Sequence, residues 1–416
     1  MLTSRFYCIP RFALPYTSGD FGAGFQAIFR SGPPPEEFGL LCDRVKFWTS
    51  SGRQALRLLL EALDLKTGSG VALPLFTDPS LFSAVVAAGC RPVFIDIDPQ
   101  FLTMCPASLE LASGKFSAVV AVHLFGQLAD MSAILAVAED APVIEDAAHA
   151  PLSYLNGHMA GRFGAAAFYS FASTKYWPAG GGGLAIVNQT GLGQKLADRI
   201  RTLPPPSGIQ GARDLILQAA KALVFHRRLY GVCGKPMRRW AEKWALLEPC
   251  LDPKGIQRSW AAVACRQALR LPKRVEVQRA NSLRLLERLG TVEDVVVPRE
   301  RPGSQHNYHL FPVLLRNSEE RAAVTAAMWA RFIDTSTIYS EVVKESRRFG
   351  YVGGCPMAES VAERLITLPN YASLSEDDID EVAEAFLTSL RTYRHAGSMP
   401  APCAEYDPTR LKFAMQ

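Results

Sequence analysis

The sequence contains no C-x-x-C pair. Its nine cysteines stand apart, at positions 8, 42, 90, 105, 233, 250, 265, 355 and 403. That spacing excludes a zinc knuckle and a thioredoxin-type redox site. An odd, dispersed set is expected to stay reduced, as in a cytoplasmic protein. There is no apolar run of the ~18 residues that a membrane span requires, so membrane contact is not expected. The opening stretch, "MLTSRFYCIPRFALPYTSG", lacks a sustained apolar core and holds two prolines, so it is not read as a signal peptide. Charge of one sign is also missing. Lys and Arg number 45 against 40 Asp and Glu, a net of +5 over 416 residues. With no RNP, zinc-finger or basic-zipper pattern, no nucleic-acid partner is expected. No internal repeat or low-complexity tract occurs. What remains is the balance of a globular protein, 48% hydrophobic and 20% charged, long enough for two domains.

Residues 1–45 are rich in Pro, Gly and aromatics and read as an irregular arm with one short helix. From about 46 the pattern alternates. "VKFWTSSGRQALRLLLEALDL" reads as strand, turn and amphipathic helix, with Ser51 as its N-cap. The runs "GVALP", "PVFIDID", "SAVVAVHLFG", "APVIEDAA", "AAAFYSF" and "GLAIVN" are the length of buried strands and are bounded by Gly, Pro or Asp. Helical stretches between several of them predict an α/β fold with a mainly parallel central sheet, covered by helices. The domain reading is a large domain over 46–255 and a smaller C-terminal α/β domain over 256–395, followed by a tail over 396–416. Within the large domain, 190–250 is a helical excursion with a Lys/Arg excess, ending in "KPMRRWAEKW". It is read as packed on the body; contact with a membrane surface or a polyanion is the weaker alternative. A long helix is expected from 258, with a kink at Pro272, then strands at "YHLFPVLL" and "DTSTIYS" and a closing helix.

The chemistry centres on "FYSFASTKYWPAGGGG", residues 168–183. Lys175 follows an apolar strand and precedes four glycines. A lone lysine is most often a surface cation; the other reading is a Schiff-base lysine in a partly desolvated pocket. Asp146 ends the strand "APVIEDAA", where a carboxylate points into the crevice at the carboxyl end of a parallel strand. It is read either as a helix cap or salt-bridge partner, or as the carboxylate that keeps a pyridine nitrogen protonated in a pyridoxal 5'-phosphate (PLP) enzyme. His149 is either structural or a partner of the cofactor's ring hydroxyl. "SSGR", with Ser51, Gly52 and Arg53, opens a helix whose free N–H groups would hold a phosphate. Ser170 and Ser173 would add hydroxyls to the same phosphate.

Taken in order, these segments resemble the DegT/DnrJ/StrS-type aminotransferases, PLP enzymes of fold type I. The resemblance runs from about 46 to about 390 and is most specific in "VIEDAAHAPLSYLNGHMAGRFGAAAFYSFASTKYWPAGGGGLAIV". It implies that Lys175 carries the cofactor as a Schiff base and shuttles a proton, and that Asp146 pairs with the pyridine nitrogen. It also implies that His149 lies near the ring hydroxyl, and that Ser170 with the amides of Gly52 and Arg53 holds the phosphate. His123 and Gly126 match the family's H-x-x-G stretch near the active site. Three positions depart from the family pattern. Asp78, after Pro74 and Thr77, stands where an aromatic stacks on the cofactor. Gly181 stands where a Glu is usual. No Asn precedes Arg258 in "KGIQR". These departures mark a divergent subgroup.

The resemblance implies an aminotransferase that moves an amino group, from glutamate as donor, to a nucleotide-linked keto sugar. The product would be an amino sugar for a polysaccharide or a secondary metabolite. It also implies a homodimer. Two alternatives stand beside it. A non-catalytic or regulatory PLP-binding relative is motivated by Asp78 and the lost Glu and Asn. A PLP-dependent sugar dehydratase is disfavoured by the presence of Lys175. No metal is expected.

Overall fold

The computed structural model describes residues 7–30, 34, 39–41, 43–234 and 254–397. The basic stretch "KPMRRWAEKW" and the tail from 398 lie outside the described residues. In chain order the strands are β1 (Val45–Thr49), β2 (Gly70–Pro74), β3 (Arg91–Ile95), β4 (Ala118–Val122) and β5 (Val143–Asp146). There follow a small hairpin, β6 (Tyr154–Leu155) and β7 (His158–Met159), then β8 (Ala166–Ser170) and β9 (Gly183–Val187). Last come β10 (Ser304–Gln305), β11 (Phe311–Leu314) and β12 (Leu365–Leu368).

Seven of these form one sheet in the order β1-β9-β8-β5-β4-β2-β3. β3, β2, β4, β5 and β8 run parallel; β9 is antiparallel to both β8 and β1. Side chains alternate across this sheet. Val71, Leu73, Val120, Val122 and Ile144 join one core, and Ala72, Val119, Ala121 and Val143 join another. Both faces are buried, which is why the runs are apolar throughout rather than every second residue. Helix α1 (Ser18–Ile28) lies in the arm, α2 (Gly52–Ala62) follows β1, and α3 (Ser80–Ala87) crosses from β2 to β3. α2 starts as its sequence predicts: Ser51 Oγ accepts the Gln54 amide at 3.1 Å, and Ala55, Leu56, Leu59 and Leu60 are buried.

A second core gathers Leu285, Leu289, Phe311, Val313, Ile366, Leu368 and Phe386 around the antiparallel pair β11–β12. The segment "DTSTIYS" is not the strand its composition suggests. It makes one bridge, Ser336 to Thr367, and Tyr339 then turns the chain with a left-handed φ of 62°. The partner of β11 is "LITL", β12, which completes the ladder. The long helix expected from 258 is two helices, Arg258–Ala268 and Leu271–Leu289. Pro272 lies in the first turn of the second, where no N–H is required of it. Val263, Ala264, Ala268 and Leu271 share a core with Tyr169 of β8 and with Phe171 and Trp177 beyond its end. No helix among the described residues is long and apolar enough to cross a membrane. Cys90, Cys105 and Cys355 are free thiols.

Candidate active site

The chain passes outward from β2 to β3, then returns to build β4, β5 and β8 on the other side of β2. Such a reversal opens a crevice at the carboxyl ends of the strands. A cavity of about 1110 Å³ occupies that position. Asp78 enters it beyond β2, Asp146 at the end of β5 and Ser170 at the end of β8. Ser51, Gly52, Arg53, His149 and Lys175 line the same cavity. Residues far apart in sequence are thus brought to one place by the parallel strands.

The start of α2 is the floor for an anion. A Cβ on Gly52 would lie 2.9 Å from Ser170 Cβ, so glycine lets the helix end rest directly on β8. The first-turn N–H groups have no helix carbonyl to bond, and the helix dipole adds positive potential there. Arg53 lines the cavity and makes no ion pair with any described residue. Ser51 Oγ accepts the Gln54 amide, which leaves its O–H free to donate. Ser173 departs from the expectation: its hydroxyl donates to Gln218 Oε1 at 2.8 Å rather than to the Ser170 cradle.

Lys175 Nζ lies 2.8 Å from His149 Nε2. The other ring nitrogen, Nδ1, accepts the Phe125 amide at 3.2 Å. Burial pushes the His149 pKa well below its ordinary value, and the Lys175 charge adds to this. The ring is therefore neutral, and with Nδ1 accepting, its proton sits on Nε2; Nζ receives it when the amine is in its free-base form, because the ammonium form has no lone pair. Asp146 Oδ1 accepts the Ala148 amide at 2.9 Å. Burial raises the Asp146 pKa from 3.8 to about 6, and Lys175 partly opposes that rise. A buried carboxylate held this way waits for a cationic partner.

Asp78 Oδ1 accepts the Ser80 amide at 3.0 Å, pinning the start of α3. The aromatic ring on this side of the cavity comes from Tyr339 instead. Tyr339 stacks on Phe125 with centroids 6.4 Å apart and stands edge-on to Phe76 at 5.7 Å. Burial raises the pKa of its hydroxyl, and the charges of Asp78 and Asp146 raise it further.

His123 and Gly126 do not line the cavity. His123 is fully buried and bonds Glu145 Oε2 at 2.9 Å, while its Nδ1 accepts the Ala129 amide. This pair forms a layer behind Asp146. Gly181 is explained by Trp260. A Cβ on Gly181 would meet three indole carbons at 2.7 Å each, so the ring fills the space a larger residue would need. Arg258 donates to the Arg30 carbonyl.

Several lining residues were not foreseen from the sequence: Tyr176, Trp260, Arg274, His309, Tyr339 and the arm segment 11–15. Tyr176 lies within the 168–183 stretch, beside Lys175, and all the others arrive from outside 46–255.

A model of the DegT/DnrJ/EryC1/StrS aminotransferase family matches residues 44–387. The chain belongs to that family. It is 31% identical over 357 residues to a pleiotropic regulatory protein of Geobacillus stearothermophilus, covering 83% of this chain and 84% of the relative. It is 28% identical to a UDP-N-acetyl-3-dehydro-alpha-D-glucosamine 3-aminotransferase of Acidithiobacillus ferrooxidans, covering 82% and 83%. The crystal structure of the aminotransferase TlmJ from Streptoalloteichus hindustanus superposes with a TM-score of 0.74 at 21% identity, covering 93% of this chain and 100% of that one. The fold is therefore that of PLP-dependent aminotransferases, and the chain is an enzyme of that class.

The residues present fit PLP. The glycine-dependent approach of α2 to Ser170 sets the start of the helix, with its dipole, beside the Ser170 side chain, where a phosphate would sit. Asp146 presents a buried carboxylate with a raised pKa, suited to a protonated ring nitrogen. A primary amine lies in the same cavity at Lys175.

Proposed function

We propose that this chain transfers an amino group from an amino-acid donor, glutamate, to a keto sugar carried on a nucleotide. The overall exchange converts donor and keto sugar into a 2-oxo acid and an amino sugar. The convergence of Lys175, His149 and Asp146 with the open start of α2 in one cavity carries this reading. When bound, PLP would supply an electron sink for the carbanion formed at the substrate carbon. Lys175 Nζ would hold the cofactor and then move the proton to and from the reacting carbon as general acid–base. His149 would orient that amine. Asp146 would keep a proton on the ring nitrogen. Gly52, Arg53 and Ser170 would hold the phosphate, with Asp78 on the cavity wall.

The name of the Acidithiobacillus relative, a UDP-sugar 3-aminotransferase, supports the sugar class. The name of the Geobacillus relative keeps a regulatory role as the second reading. We further read the chain as a cytoplasmic homodimer with a large domain over 46–255 and a smaller one over 256–395. The deciding experiment loads the protein with PLP, adds glutamate and then a panel of keto-sugar nucleotides, and follows the visible spectrum and the amino-sugar product. Spectral reversal by one keto sugar, with product, is expected. A loaded protein that reacts with no amino acid would sink the enzyme reading and favour the regulatory one.

A further inference from the structure

We infer that Arg274 and Tyr176 form an oxyanion-binding subsite beside Lys175, taking a carboxylate or phosphate group of a substrate. The inference rests on the aminotransferase reading for its ligands but on geometry for its existence.

Arg274 comes from the helix Leu271–Leu289 and lines the cavity. Its Nη2 donates to the Tyr176 carbonyl at 3.2 Å, and its guanidinium lies 5.9 Å from the centre of the Tyr176 ring. Its Nε is buried and has no partner. No carboxylate of the described residues is within ion-pair distance of it. Asp20 balances charge in this region, but it is already engaged by Arg270 at 2.5 Å and Arg266 at 3.5 Å. Three arginines therefore share one acid. Burial lowers the Arg274 pKa to about 10, so it remains charged at neutral pH.

Tyr176 is 7% exposed, and its hydroxyl is buried without a partner. Burial pushes that hydroxyl's pKa up, so it stays a donor. The indole N–H of Trp260, another residue lining the cavity, is also buried and unpartnered. Three donors thus lack acceptors, and one of them is a full charge. Leaving such groups unpaired is costly, and a ligand that supplies an anion removes the cost. A guanidinium fork matches carboxylate or phosphate oxygens.

The position is close to the chemistry. Tyr176 directly follows Lys175. The His309 ring stands edge-on to Tyr176 at 5.7 Å and lies 4.5 Å from His149, which bonds Lys175. The two substrates use the cavity in turn, and each brings oxyanions: the donor its carboxylates, the acceptor its diphosphate. The subsite serves one or both.

The test uses the PLP-loaded protein, with loading checked by its visible band, and two inert probes: glutarate for the donor and inorganic diphosphate for the nucleotide. Dissociation constants are measured by calorimetry for wild type, Arg274→Met and Tyr176→Phe. At least one probe should bind wild type and bind Arg274→Met about tenfold more weakly or worse, as expected for losing a charge-assisted hydrogen bond. Tyr176→Phe should weaken the same probe severalfold. Sensitivity of glutarate assigns the subsite to the donor carboxylate, sensitivity of diphosphate to the nucleotide, and sensitivity of both to each in turn. Equal affinities in wild type and Arg274→Met, or no binding of either probe to wild type, would overturn the inference. If Arg274→Met does not fold, Tyr176→Phe decides, because its lost hydroxyl has no partner in the protein. A protein that aminates no keto sugar but loses probe affinity on substitution would refute the proposed function and leave the subsite standing.

Discussion

His149 Nε2 is 2.8 Å from Lys175 Nζ, and the same ring is fixed from behind by the Phe125 amide on Nδ1. The backbone therefore selects the histidine tautomer, and the tautomer selects what the lysine meets. Replacing His149 by Ala removes this contact but leaves the amine in place. The expected result is a Schiff base that borohydride still traps, with a glutamate half-reaction slower by roughly 10²-fold, the range for loss of a group acting in proton transfer. Stopped-flow absorbance measures it. An unchanged rate would show that His149 only fills space.

Asp146 gives a pH prediction with a definite sign. Its folded-state pKa, about 6, lies above its ordinary 3.8, because burial penalises the charged form. Between those values the folded protein binds more protons than the unfolded chain, so stability falls as pH rises from about 4 to about 6. The cost in the protein without cofactor is on the order of 2–3 kcal/mol above pH 6. Asp146→Asn should remove that slope and raise stability at pH 7, while weakening PLP retention. Urea unfolding of the cofactor-free protein at a series of pH values, with and without the substitution, checks it. Parallel curves for the two proteins would contradict the assignment.

Gly181 and Trp260 form a matched pair. A methyl group at residue 181 would press on the indole at 2.7 Å. Gly181→Ala should destabilise the protein by about 1–3 kcal/mol, the usual cost of overpacking. Adding Trp260→Ala should cancel most of that increment in a double-mutant cycle. Additive effects on the thermal midpoint would mean that the two residues do not share the space.

Much of this was legible in the sequence because the signals were local. Continuous β-branched runs marked the buried strands, and a carboxylate at one strand end and a lysine five residues beyond another marked the cavity. Ser51 before "GRQAL" marked the helix start. The rest depended on contacts between distant segments. Arg274 and Tyr176 are 98 positions apart, and their relation follows from where one helix crosses the sheet. Tyr339 lies in a segment whose composition favours a strand, but one left-handed residue and a single bridge are what tertiary contacts allow it. "LITL" is only four residues long, and it is the pairing with β11 that makes it a strand. Ser173 looked like Ser170 in sequence, but a glutamine of the Gly208–Val224 helix took its hydroxyl.

Glu145 shows how a residue beside the chemistry can serve structure alone. It precedes Asp146 on β5, and alternation along the strand turns its side chain to the other face. There Oε1 accepts the amides of Phe163 and Gly164, each at 2.7 Å, and Oε2 accepts Gly161 N at 2.7 Å and His123 Nε2 at 2.9 Å. All four partners are donors. Because His123 Nδ1 accepts the Ala129 amide, its Nε2 carries the proton that Glu145 receives. A glutamine at 145 would turn an NH₂ group toward two of these donors, breaking two charge-assisted bonds inside a dry core. Glu145→Gln should therefore cost about 3–6 kcal/mol, from two bonds at roughly 1.5–3 each to a charged group. The urea midpoint should fall accordingly. Protein that stays folded should still form a Schiff base at Lys175, because Glu145 does not line the cavity. A loss below about 1 kcal/mol would mean that loop 161–164 relaxes to release its amides, and that the carboxylate is not what holds it against β5.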